Sequence, residues 1–551
     1  MSDRVQKILF IISAALLAGG FFVLYAFLPL TGPRIAASPD ENANAYFTRM
    51  FATTGTLWQE DVRNLSVSEM VHPRSTRVIG GVVVPGSFLG LPVIFGSIAT
   101  LLGTVVIPYL TPFFALLAVA AWLGLIAHFF GKKIGLIAAL LLAVQPVWWY
   151  ETARTLAPNV FFVSLALIGA WFFFTEPMGH LRGGKVQRVV DAILAGIFFG
   201  LALAVRMSEA YWFVIGGIVL LARAFPRIPW KRALVVAASA ALTLAPFLLL
   251  NRSIYGSFFA TGYGASIDLP SAITAHGRGA ALLGPFAKYF FPLGFAPRSA
   301  VRHFMTYGVT FFWWWSMLVG AACIALGVTM RRMYLAKTRI ARPVLTFCAV
   351  AVAVAVWLVL FYGSWTVQDN SNPLAVTIGS SYLRYWLPIF IFSTVPVAWL
   401  IADATDVMTP RKRKIFFGVF AILFVLSSAS DVLFSPQEGL LPLRQTLFAD
   451  EAAAKIIFAN TEPDAIIVVD RADKFLFPSR RVVVPLRSDA TYAALPALID
   501  QAPLYYFGIT FPEPDLRWLR EVKLSALDLT IDPVLQIDTQ TLYRFTRHQK
   551  P

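Results

Sequence analysis

Apolar runs recur from the start of the chain to about residue 432, and most are about 17–25 residues long, enough to cross a bilayer as a helix. A helix satisfies its own backbone polar groups in hydrocarbon, so a chain built from such runs folds as a helical membrane bundle. Composition agrees. The sequence is 58% hydrophobic and only 14% charged, against about 25% charged in a soluble domain.

A net charge of +16 would suit a nucleic-acid partner if the cations formed one surface. Instead they collect in short loops between apolar runs: Lys132–Lys133, Arg182 to Arg188, Arg223 to Arg232, Arg331 to Arg342 and Arg411 to Lys414. The positive-inside rule assigns such loops to the cytoplasmic face, where they also meet anionic lipid headgroups. No nucleic-acid partner is expected. The two cysteines, Cys323 and Cys348, lie inside apolar runs and form no metal or redox motif. The run Ile8 to Leu30 is too long for a signal-peptide core and reads as a retained anchor with its N-terminus in the cytoplasm.

Spans are expected at about 8–30, 111–130, 134–150, 158–175, 190–206, 210–224, 233–250, 308–329, 343–362, 382–402 and 414–432, about 11 transmembrane helices in all. Residues 80–110 are apolar but interrupted by Pro85, Pro92, Pro108 and several glycines. A single crossing there would put the basic loops on the wrong side, so an interfacial, re-entrant or twice-crossing path is expected. The segments left outside are 31–79, the turn ETARTLAPN, 251–307, 363–381 and a tail from about 433 to 551. In the tail, AIIVVD and RRVVVPL read as buried strands and ATYAALPALIDQ as a helix before LYYFGIT. The organisation expected is therefore a transmembrane domain, 1–432, carrying a first outside loop 31–79, and a small extracytoplasmic α/β domain, 433–551.

No Walker loop, zinc motif or nucleophile elbow is present. The outside segments share polar residues at helix ends instead. In SPDENANAYFTRM, Ser38, Pro39 and Glu41 read as N-cap, first-turn proline and capping-box glutamate. Asp40 is not needed for that cap, and a carboxylate at the membrane surface can take a proton from a hydroxyl or amine. Further along stand His72, Pro73 and Arg74; Arg154 in ETARTLAPN; and Arg206 with Glu209 in LALAVRMSEAYW, where an i,i+3 ion pair is one reading. NRSIYGSFFATGYG carries Tyr263, FPLGFAPR follows it, and SSYLRYWLPIF brings Arg384 and Tyr385 into a late helix. Taken singly, each arginine can be read as snorkelling to headgroups and each aromatic as an interface anchor.

Taken in order, an Asp-Glu pair after the first helix, His-Pro in the same loop, arginines at later helix ends and Arg-Tyr-x-Leu-Pro resemble the GT-C membrane glycosyltransferases. The resemblance is to the branch of protein O-mannosyltransferases and lipid A aminoarabinose transferases, over roughly residues 1–432. It implies transfer of a sugar from a polyprenyl-phosphate donor to a protein, lipid A or other envelope glycan outside the cytoplasm, with inversion at the anomeric carbon. By motif, Asp40 is implied as the base or acceptor-orienting carboxylate, with Glu41 assisting or capping. His72 would lie near the donor phosphate. Arg74, Arg154, Arg206 and Arg384 are candidates for a cationic clamp, since guanidinium grips phosphate bidentately. Tyr263 and Tyr385 would position phosphate or sugar. Asn159 stands where many relatives carry aspartate, and HPRS replaces the more usual His-Pro-Pro. No cofactor is expected, and a divalent metal stays open. The partners implied are the lipid-linked donor, its acceptor and membrane lipids. The alternative is a flippase or transporter for lipid-linked sugars, but no internal repeat is seen and the polar residues gather at outside helix ends.

Overall fold

The computed structural model describes residues 3–177, 184–224, 229–263, 294–337, 341–367, 372 and 375–548. Arg182, Arg227 and Arg339 of the basic loops lie outside these residues, as do most of the segment 251–307 and the middle of 363–381. The chain divides into two compact units, one of residues 1–30, 108–248 and 266–442, the other of residues 31–107, 249–265 and 443–551.

The first unit is helical. Among the described residues eight helices are long and apolar enough to cross a membrane. The pair Lys132–Ala143 and Pro146–Arg154 is apolar enough to make a broken span or a re-entrant loop, and is bent by 51° at its junction. Pro146 cannot donate into a continuing helix, and Gln145 restarts the chain by accepting the Trp148 N–H through its side chain at 2.8 Å. The remaining expected spans are also helices, Asp3–Tyr25 and Ala210–Ala224. This is a multi-pass membrane protein.

Helices Lys185–Val205 and Trp230–Tyr255 cross at Gly196 and Gly200. A Cβ at Gly200 would come 2.6 Å from the Ala240 carbonyl oxygen, and one at Gly196 2.5 Å from Val236 O. Small residues four apart let helix backbones approach where lipid supplies no hydrophobic drive for association.

In the second unit the stretch from residue 80 begins as sheet, which ends at Pro85. Strands β1 (Gln59–Glu60), β2 (Thr76–Ile79) and β3 (Val82–Pro85) form an antiparallel sheet in the order β1-β3-β2. Helix Gly90–Leu102 follows, at 13 residues about 20 Å long and too short to span hydrocarbon.

The tail forms β4 (Ile466–Val469), β5 (Arg481–Val483), β6 (Leu504–Ile509), β7 (Leu529–Ile537) and β8 (Gln540–Arg547), ordered β5-β4-β6-β8-β7. β4 runs parallel to β5 and β6, and β6, β8 and β7 are antiparallel. Alternate residues serve two cores. Ile466, Val468, Val483 and Tyr506 face one side together with Val67 and Val71 from the first loop. Ile467, Val469, Val482 and Phe507 face the other, packed with Ala454 and Ile457. Val71 bridges to Val483 on edge strand β5. The first loop and the tail therefore share a hydrophobic core, although some 400 residues separate them.

Candidate active site

The residues singled out in the sequence fall into two clusters, one in each unit. In the second unit, helix Pro39–Thr54 starts as expected. Ser38 has extended backbone, and its Oγ accepts the Glu41 N–H at 3.3 Å. Glu41, almost fully buried, reaches back with Oε2 to accept the Ala37 N–H at 3.1 Å. Its carboxylate thus serves the turn, although it takes the N–H one residue before the N-cap rather than that of Ser38 as in a standard capping box. Asp40 sits half-buried in the first helical turn, and Ser75 Oγ donates to its Oδ1 at 2.5 Å. The hydroxyl comes from the His-Pro-Arg-Ser stretch, and the sequence reading did not single it out.

His72 is half-buried, with Nδ1 donating to the Pro73 carbonyl at 2.9 Å. Burial pushes its imidazole below the usual histidine value, opposed by the Pro73 carbonyl and by the charges of Asp473 and Glu69. The ring is therefore neutral near pH 7, with Nε2 as its acceptor nitrogen. Arg74 turns to the tail domain. Its Nε lies 3.0 and 3.1 Å from the two oxygens of Asp473, its Nη2 is 2.6 Å from Oδ1, and its backbone N–H donates to Oδ2 at 2.9 Å. Tyr263 is exposed and tilts against Phe88 at 5.4 Å. Gly86 and Gly262 beside it are glycines for space: a Cβ at Gly262 would lie 2.3 Å from the Gly86 carbonyl carbon, and one at Gly86 2.6 Å from that of Ser75.

In the first unit, helix Lys185–Val205 ends at Arg206, and a short 3₁₀ turn, Met207–Glu209, precedes the next helix. The ion pair forms across this break. Arg206 Nε donates to Glu209 Oε1 and Nη1 to Asn159 Oδ1, both at 3.1 Å, with Nη2 also 3.1 Å from Glu209 Oε1. Glu209 further accepts from Trp212 Nε1 at 2.8 Å and Tyr362 OH at 2.5 Å. Asn159 donates its Nδ2 to the Arg384 carbonyl at 3.2 Å. An aspartate here could accept from Arg206 but could not donate to that carbonyl, so the amide suits both neighbours. Tyr385 stacks on Tyr362 at 4.2 Å, and the guanidiniums of Arg206 and Arg384 each lie 5.4 Å from its ring centre. Arg154 ends its helix over the Tyr150 ring at 5.8 Å. Between Arg154 and Asn159, Thr155 and Leu156 both hold positive φ, 59° and 48°, a stored strain of about 1–3 kcal/mol each, of the kind that gathers at functional sites.

Trp212 also lines an apolar cavity of about 710 Å³ together with Trp122, Phe129, Phe173, Phe199 and Ile391. Among the described residues no three His, Cys, Asp or Glu side chains converge as a metal site.

The architecture defines the class of fold: many apolar helices carrying a small α/β domain, a GT-C-like fold. Two solved structures share it. ArnT from Cupriavidus metallidurans bound to undecaprenyl phosphate superposes with a TM-score of 0.56, covering 98% of each chain at 13% identity. The apo state of the same protein gives 0.52 with the same coverage at 14% identity. The resemblance read from the motifs thus holds at the level of fold. No family model matches the sequence, and no curated protein does.

Proposed function

We propose that this protein is a glycosyltransferase that moves a sugar from a polyprenyl-phosphate donor to a hydroxyl or amine of an envelope acceptor, with Asp40 as the base. The observation that carries the reading is the half-buried Asp40 carboxylate, oriented by Ser75 at 2.5 Å, in a fold shared with a protein that binds undecaprenyl phosphate. The acceptor O–H or N–H attacks the anomeric carbon, and the C–O bond to phosphate breaks with its electron pair leaving on the lipid phosphate. The acceptor proton passes to Asp40. One displacement of this kind inverts the anomeric centre. His72 lies in the same unit as the base; its Nε2 is an acceptor in the neutral ring, so it would engage a phosphate oxygen only after taking up a proton. Glu41 keeps its capping task.

For the donor phosphate the motif resemblance offers Arg384, Arg154 and Tyr385 in the helical unit and Tyr263 in the unit of Asp40. Arg206 and Arg74 are assigned differently, because their forks are directed to Glu209 and Asn159 and to Asp473. They brace the site. The apolar cavity beside Trp212 would take part of the isoprenoid chain. The basic loops support a cytoplasmic N-terminus and an extracytoplasmic tail domain.

The test is sugar release from radiolabelled undecaprenyl-phosphate mannose and undecaprenyl-phosphate aminoarabinose by purified protein, with envelope extract as acceptor. Wild type should consume one of them. Asp40→Asn should bind undecaprenyl phosphate as wild type does while kcat falls by about 10²–10⁴-fold, the usual worth of a general base. Binding without consumption of either donor would favour a flippase.

A further inference from the structure

We propose that Ser75 is a positioning residue for Asp40, and that the tail domain holds it in place through the Asp473–Arg74 link. The inference rests on the reading of Asp40 as the base.

Every tie in the chain of contacts lies inside the second unit. Asp473 follows β4, at the carboxyl end of the central parallel strand, which pairs with β5 on one side and β6 on the other. Open α/β sheets bind ligands at such a switch point, outside the carboxyl ends of the strands. Here the occupant is the protein's own first loop. The Asp473 side chain is 0% exposed and takes both the backbone N–H and the guanidinium of Arg74, while Arg74 Nη2 also donates to the Arg471 carbonyl at 3.1 Å. Binding main chain and side chain of one residue together fixes its place and its direction.

Ser75 follows with φ at +61°, a conformation that glycine adopts without strain and serine does not. On its far side the Ser75 carbonyl accepts the Gly86 N–H at 3.0 Å, at a contact so close that only glycine fits at 86. The backbone of Ser75 is thus clamped from both directions, and its side chain points at Asp40. A serine at a backbone position suited to glycine signals that the hydroxyl is needed. A hydroxyl donating to a carboxylate is a strong, directional bond. With Oδ1 held this way, the carboxylate is restrained from turning about its Cβ–Cγ bond. The tail domain, which brings no family motif of its own, then serves catalysis by holding the base in register.

Ser75→Gly separates the two contributions of this residue, because it relieves the backbone and removes the hydroxyl. The expected result is an unchanged or raised Tm, unchanged binding of undecaprenyl phosphate, and a kcat about 10–100-fold lower, the cost of a misplaced catalytic group. Asp473→Asn should lower kcat in the same direction with KM for the donor unchanged. The double variant Asp473→Asn with Ser75→Gly should be little worse than Ser75→Gly alone. Full kcat in Ser75→Gly, where Asp40→Asn is inactive, would overturn the role of Ser75. Multiplicative effects in the double variant would overturn the link to the tail domain.

Hydrogen exchange gives a readout that needs no turnover. Peptides covering residues 36–48 and 70–78 of the full-length protein should exchange faster in both Ser75→Ala and Asp473→Asn. Unchanged exchange in 36–48 would overturn the tether even if neither donor proved to be a substrate. If Asp40→Asn kept wild-type turnover while exchange rose as expected, the assignment of the base would fall and the tether would stand.

Discussion

Two ion pairs differ in kind: Arg74–Asp473, partly open to solvent, in the unit that carries the tail domain, and Arg206–Glu209, buried, in the helical unit. The sequence proposes both arginines for the same task, gripping phosphate, and in both the guanidinium is directed to a protein carboxylate. They differ in how they are assembled. Arg206 and Glu209 are three residues apart and meet because a helix breaks between them, with Asn159, Trp212 and Tyr362 closing around them. Arg74 and Asp473 are 399 residues apart and meet only when loop and tail fold together. The side chains of Arg206 and Glu209 are 8% and 5% exposed, whereas Arg74 keeps 36% of its side chain open beside a fully buried Asp473. A local pair in a desolvated niche braces helix ends, whereas a long-range pair at a domain edge joins distant chain segments.

The largest effect is expected at Arg206. Arg206→Ala leaves Glu209 buried without its cation, and a loss of about 3–5 kcal/mol is expected, the usual cost of removing one partner of a buried pair. Denaturation of the detergent-solubilised protein measures it, and a loss below 1 kcal/mol would mean that the niche is wetter than its burial indicates. Arg74→Ala should cost less, about 2–3 kcal/mol, because Asp473 loses charged donors but opens onto a site that water can reach. Screening sharpens the contrast further: raised salt should reduce the Arg74 effect and leave the Arg206 effect unchanged.

Smaller still is Ser38→Ala, expected to cost about 1 kcal/mol through loss of the N-cap, with Asp40 kept at the helix start by Ser75. The smallest effect concerns pH. Burial holds the His72 imidazole below its ordinary value, so the unfolded chain takes up the proton first as pH falls. Stability linked to His72 is therefore complete above the unfolded value of about 6.5 and declines as pH drops below it. His72→Gln should flatten the Tm profile between pH 7 and 5 relative to wild type. His303, in the other unit and also lowered by burial, should leave part of the slope in place.

Much of the architecture is legible in the chain because it depends on neighbouring residues. Run length gives the helices, Ser38, Pro39 and Glu41 give the start of Pro39–Thr54, short apolar runs give β4 and β5, and ATYAALPALIDQ gives the helix Asp489–Ile499 before β6. The hairpin of β7 and β8 went unread, although LTIDPVLQI and QTLYRFTR alternate around a turn at Asp538 and Thr539, Asp538 having φ 50°. Alternation of that kind was the available signal. In the candidate site, Asp40 could be picked out because a cap leaves it without a task. Ser75 and Asp473 could not, because serines and aspartates are common in loops and nothing in their neighbours marks them.

The sequence by itself determined that this is a membrane bundle with an appended α/β domain, and it marked a carboxylate at the start of helix Pro39–Thr54, since hydropathy, capping and strand pattern act over a few residues. The i,i+3 spacing offered Arg206–Glu209, but tertiary structure alone decided the long-range contacts. Arg74 meets Asp473, Arg206 also meets Asn159, and Ser75 meets Asp40, because the energy of burying a charge depends on which partners the fold brings within hydrogen-bond distance.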